Sequence, residues 1–126
     1  MLQLSQEELQ LLLETAFMAI GHNHFTSAMK ILMALEQFRP GHESLDCAKA
    51  FLCLSQYQGQ VALDFLEKEA LPRHPESRQL KVFKAMAFMQ TNRVSEAKFL
   101  LEELQSGNDN VADMAAGLLQ NLQNSH

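Results

Sequence analysis

The chain has 126 residues, 47% of them hydrophobic, with five glycines, three prolines, no tryptophan and a formal net charge of −5. That length suits one domain with a sizeable core, and the acidic balance argues against a nucleic-acid module, which needs a basic footprint. No apolar run reaches the length of a membrane span, and Met1 leads into a polar helix start rather than a signal peptide.

Leu, Ala, Gln, Glu and Met dominate, while runs of Val, Ile and Thr are missing, so an all-α fold is expected. Ser5-Gln6-Glu7-Glu8 reads as a capping box that opens a first helix. That helix is predicted to run to about Ile20, with Gly21 as a left-handed stop. A second helix starts near His24 or Phe25 and ends before the breaker Arg39-Pro40-Gly41. Glu43 to about Gln56 forms the third, and the turn at Gln58-Gly59 opens a fourth that ends before Pro72. Leu71 to Pro75 reads as the least regular linker. The fifth helix covers roughly Glu76 to Gln90, and Thr91-Asn92-Arg93 turns the chain into a sixth from Val94 to about Gln105. Ser106-Gly107-Asn108-Asp109 breaks the pattern and caps a seventh, from Asn110 to about Leu122.

The helices come in repeating pairs. Ala28, Ala62 and Ala97 recur at spacings of 34 and 35 residues, each followed four positions on by Leu32, Leu66 or Leu101. Upstream in each unit stands another small residue: Ala16, Ala50 and Ala85. Alanines on the facing sides of two antiparallel helices let their axes approach, and the leucine one turn later fills the space above. A period of this size with two helices per unit marks a helical solenoid. F-T-S-A-M-K-I-L-M-A-L followed by Pro40 resembles the tetratricopeptide repeat (TPR). The expectation is three antiparallel helical hairpins of TPR type plus a C-terminal capping helix, forming a short right-handed superhelical solenoid. It is one domain over 1–126, with repeats at about 9–42, 43–77 and 78–107 and the last helix at about 109–124. The middle unit departs from the pattern, with Gly59 in place of Phe25 and Val94, and Glu69 in place of Leu35 and Leu104.

Catalytic patterns are sparse. His22 and His24 flank Asn23 in a turn, His42 and His74 lie in other loops, and no spacing supplies a third metal ligand. Cys47 and Cys53 form no C-x-x-C pair and diverge on one helix, which fits reduced thiols of a cytosolic protein. There is no glycine-rich phosphate loop and no nucleophile elbow. A non-enzymatic protein without cofactor or metal is expected.

The informative residues lie on the first helix of each hairpin, which in stacked hairpins lines the concave surface. Registered on the alanines, the face toward the concavity carries Leu13, Phe17 and Ile20, then Cys47, Phe51 and Leu54, then Val82, Met86 and Met89. All nine are apolar. A trough of this kind suits the nonpolar face of a helix better than a charged peptide end. The competing reading makes the same residues core, covered by the chain's own last helix, and the sequence leaves both open.

A-F-M-A-I-G-H-N-H-F-T-S-A-M-K-I-L-M-A-L-E, Ala16 to Glu36, is similar to the N-terminal repeat of the TPR-like chaperones that hold the needle subunit of bacterial type III secretion systems. S-G-N-D-N-V-A-D-M-A-A-G-L-L-Q-N-L has that family's loop-then-helix layout at the C-terminus. The resemblance implies a cytoplasmic chaperone whose concave groove clamps the C-terminal amphipathic helix of the needle protein and prevents premature polymerisation. It also implies a small helical co-chaperone on the N-terminal hairpin. A TPR scaffold or adaptor, a translocator chaperone, and a self-associating structural protein are the alternatives.

Overall fold

Ala16, Ala28, Ala50, Ala62, Ala85 and Ala97 are all fully buried, and the helices that carry them pack in pairs. The structure, a computed structural model, describes residues 3–124, so the expectation about Met1 lies outside it. Among the described residues every regular element is helical: α1 (Gln6–Gly21), α2 (Phe25–Phe38), α3 (Glu43–Ser55), α4 (Gly59–Phe65), a π-helical turn (Leu66–Ala70), the short α5 (Leu71–Arg73), α6 (Arg78–Gln90), α7 (Val94–Leu104) and α8 (Asn110–Asn124). The chain is all-α. The short turns fold α1 onto α2, α3 onto α4 and α6 onto α7, and α8 closes the end against α7 and α6. Between hairpins, α1 meets α3 and α3 meets α6, so the first helices form a continuous row, while α2 and α4 each lean on the first helix of the next hairpin.

The core divides along the same lines. One cluster centres on Leu9, Leu13, Ala16, Ala28 and Leu32, a second on Ala50, Leu54, Ala62, Leu66 and Phe83, and a third joins Val82 and Ala85 to Leu101, Val111 and Leu119. Phe51 packs against both of the first two. The Ser5–Glu8 capping box is formed, with Glu8 N–H donating to Ser5 Oγ and Ser5 N–H to Glu8 Oε1, both at 3.1 Å.

Three local expectations are corrected. Gly21 does not supply the left-handed residue. It belongs to α1, and the positive φ falls on Asn23 (63°), with Tyr57 (58°) and Asn92 (61°) at the matching places in the other two hairpins. In each turn the next residue's N–H reaches back to the third-last helical carbonyl: His24 to Ala19 O, Gln58 to Cys53 O and Arg93 to Phe88 O, at 2.8, 2.9 and 2.8 Å. This is a Schellman closure repeated with the period of the chain. Pro72 does not end the fourth helix either. The preceding turn widens to π geometry, in which Leu71 N–H donates to Leu66 O, and Pro72 sits in the short α5 that follows it. The helix after the linker starts two residues later than expected, at Arg78, because Ser77 serves as its cap and accepts from Leu80 N–H at 3.2 Å. Gly59 has a steric reason: a Cβ there would stand 2.6 Å from Gln90 Cβ, where α4 crosses α6.

Polar contacts fix the loops. The buried Asp46 carboxylate accepts from Arg73 Nη2 at 2.9 Å and Nε at 3.3 Å, while His74 Nε2 donates to Gly41 O at 2.7 Å. These bonds tie α3 and the loop before it to α5 and the loop before α6. Arg78 does the same further on, with Nε 2.8 Å from Asp109 Oδ2 and Nη2 2.7 Å from Leu104 O, and Asp109 in turn caps α8 by accepting Ala112 N–H at 2.9 Å.

Tyr57 is the one non-Asn residue among the three left-handed turn positions and is 87% exposed, so its side chain contributes little packing to offset the strain. Tyr57→Asn should raise stability by about 0.5–1 kcal/mol in chemical denaturation; a decrease would show that the ring has a packing role.

The Arg78 guanidinium, with help from Ala112 N–H, holds the Asp109 carboxyl at about 2, below its ordinary 3.8. A depressed carboxylate contributes stability above its unfolded value and loses it as the pH falls through the folded one. The melting temperature of the native chain should therefore fall toward that of Asp109→Asn between about pH 4 and pH 2. A difference that stays constant across that window would show that the charge has no part in holding α8.

Candidate partner-binding surfaces

The nine residues expected to line the trough separate into two groups. Leu13, Ile20, Cys47, Leu54 and Val82 are buried in the free chain. Leu13 and Ile20 pack around Ala16, Cys47 and Leu54 around Ala50, and Val82 lies beneath Val111, Ala115 and Leu119 of the C-terminal helix. Phe17, Phe51, Met86 and Met89 are half-buried. Phe17, Phe51 and Met86 occupy equivalent places in the three units, and Met89 lies one turn beyond Met86. The rings of Phe17 and Phe51 have centroids 5.7 Å apart, and those of Phe51 and Phe83 6.1 Å, both tilted. The first-helix row therefore presents a ladder of touching rings followed by two methionines, not an empty channel. A charge placed at Phe51 would disturb two core clusters along with anything bound above it.

A second concavity, not among the residues expected from the sequence, lies on the second helices. Between α2 and the α4 rod, which make no extensive contact with each other, lies an open groove of about 760 Å³ floored by α3. Met29, Leu32 and Met33 line one wall, Val61 and Phe65 the other, and Leu52 and Cys53 the floor. Its signal in the sequence is that α2 carries more apolar residues than one buried stripe needs. Ala28, Leu32 and Leu35 fill the core, leaving Met29 and Met33 outside. At the charged end Lys49 Nζ is 2.6 Å from Glu36 Oε2 and 5.7 Å from the centre of the Phe65 ring.

The titratable side chains are dispersed. Among the described residues no three His, Cys, Asp or Glu side chains converge as a metal site, and the His22 and His24 rings stand 6.2 Å apart. Both cysteines are free thiols. Burial, with Glu43 and Asp46 nearby, pushes Cys47 up to about 12, and burial raises Cys53 as well. Among the described residues no helix is long and apolar enough to cross a membrane. In comparisons with family models, characterised proteins and solved structures, nothing matches this chain.

The difference between the two thiols gives a direct check on the packing. In the folded chain near pH 8, iodoacetamide should modify Cys53 slowly and Cys47 only after denaturation, because the thiolate is the reactive form. Equal labelling of both in the native state would mean that α3 is not packed as described.

Proposed function

We propose that this chain is a non-enzymatic, helix-holding chaperone of the bacterial cytoplasm. Its client is an amphipathic helix of a self-polymerising type III secretion needle subunit, held with the help of a small helical co-chaperone. The observation that carries the reading is the row Phe17, Phe51, Met86 and Met89, in which three successive hairpins each leave apolar side chains half-exposed on the first-helix row. The resemblance of Ala16 to Glu36 to the needle-subunit chaperones supplies the client. Aromatic and methionine side chains suit such a task, since rings give contact area at little entropic cost and thioethers adapt to the partner. Covering one face of a subunit that assembles through its apolar helices lowers the concentration of the polymerising species by mass action. Four half-buried residues offer less area than nine open ones, which places the affinity on the order of micromolar for the chain alone.

Met89 is the residue to test. It stands in the last turn of α6, where a lysine is favoured by the helix dipole and its long stem can carry the charge to water. Met89→Lys should retain helix content and, by placing a charge in an apolar contact, lower capture of a co-expressed needle-subunit helix at least about tenfold. Undiminished capture by a folded Met89→Lys variant would remove the first-helix row as the client site.

A further inference from the structure

The groove between α2 and α4 is separate from the first-helix row, and its shape and charge select one kind of occupant. Met33 and Val61 on opposite walls are 63% and 54% exposed, an apolar pair that gains by being covered. The lining extends from Met29 to Gln37 on α2 and from Val61 to Glu69 on the facing rod, about 12 Å along each at the helical rise. That length holds about two turns of a helix. An extended segment would find no strand edge to pair with here, whereas a helix brings its backbone bonds already satisfied.

The rim charges narrow the choice. Glu36 is occupied by Lys49, which leaves Asp64 and Glu69 against the single cation Lys68. Among the described residues Asp64 receives the neutral Gln60 amide, at 3.0 Å, and no cation. Arg73, whose charge reaches Glu69, spends its guanidinium fork on Asp46. The rim is therefore acidic. A second copy of this chain fits it poorly, since each copy carries a net charge of −5. The exposed apolar residues Leu11 and Met18 sit on α1, a helix whose only charged side chains are Glu7, Glu8 and Glu14.

We propose that this groove docks a two-turn amphipathic helix of a different protein, apolar face inward, with lysine or arginine on the edge that meets Asp64 and Glu69. The proposal does not depend on what the first-helix row holds.

The test uses the full chain and two labelled synthetic helical peptides of about four turns, long enough for partial helicity, with identical leucine faces and either lysine or glutamate flanks. Anisotropy titrations should show the lysine peptide binding at least about tenfold tighter, with the advantage shrinking as salt is raised. Asp64→Asn with Glu69→Gln should erase that preference. Met29→Gln with Met33→Gln should weaken both peptides about tenfold, and these exposed sites leave the fold unchanged. Bound peptide should also slow alkylation of Cys53 on the groove floor. Equal affinity for the two peptides, or binding indifferent to the methionine changes, overturns the proposal. A homodimer by light scattering that the methionine changes split would give the groove to a second copy and overturn it as well. Met89→Lys should leave peptide binding unchanged; if it abolishes binding, the peptide sits on the first-helix row and the groove proposal fails while the chaperone reading stands.

Discussion

The close approach of two helices at a pair of alanines is the contact on which the rest of the molecule depends. Ala16 and Ala28, Ala50 and Ala62, and Ala85 and Ala97 are fully buried and serve the three hairpins in turn. With no side chain beyond Cβ, these alanines let the paired helices pack closely, and Leu32, Leu66 and Leu101, buried one turn on, fill the space beside them. A short separation requires a short turn, which the repeated Schellman closure at Asn23, Tyr57 and Asn92 provides. Tightly closed hairpins then stack through their first helices. The second helices, each leaning on the next hairpin instead of on one another, remain apart, and the groove between α2 and α4 is a consequence of that spacing.

Features set by local chemistry or by the repeat period were legible in the sequence. The capping box, the 34- and 35-residue recurrence, the helix pairing and the all-α class all rest on local chemistry and periodicity. Features set by the angle between hairpins were not. Leu13 and Ile20 lie three residues before and four after Ala16, which puts all three on one stripe, and Cys47, Ala50 and Leu54 repeat the arrangement. The structure buries both stripes, and of the six expected trough residues on α1 and α3, Phe17 and Phe51, each next to its alanine, are the two left half-exposed. In the third unit the same spacing gives Val82, Ala85 and Met89, yet Met89 is half-exposed. The element after α6 and α7 is a lone helix, and α8 reaches Val82 through Val111 and Leu119 without sealing the far end of α6. One spacing thus yields core in two units and partial exposure in the third, and only the next element along the chain decides which.

Pro72 and Asp46 show the same limit for breakers and polar groups. A proline late in a helix pattern is read locally as a stop, because its ring opposes the carbonyl four residues back and it has no N–H to donate. A π turn immediately before it shifts the bonding by one residue, and the rod continues to Arg73. That continuation has a use: it carries Arg73 to Asp46, a carboxylate with no access to water. Burial of an unpaired carboxylate would be costly, and the bidentate guanidinium is what makes the position tolerable. Local propensity yields here to a tertiary ion pair between residues 27 apart in sequence.

The two surfaces differ in how occupancy would act on the fold. Phe51 already joins the first core cluster to the second, so a partner seated on Phe17, Phe51 and Met86 would add contacts where the hairpins are already joined. A helix between α2 and α4 would instead bridge two elements that scarcely touch, whose relative placement in the free chain is held through α3 and by the Asp46–Arg73 and His74–Gly41 bonds. Anything that binds the folded state alone stabilises it by mass action. Occupancy of the groove would in addition link the first hairpin to the second, which the Phe17–Phe51 contact also joins.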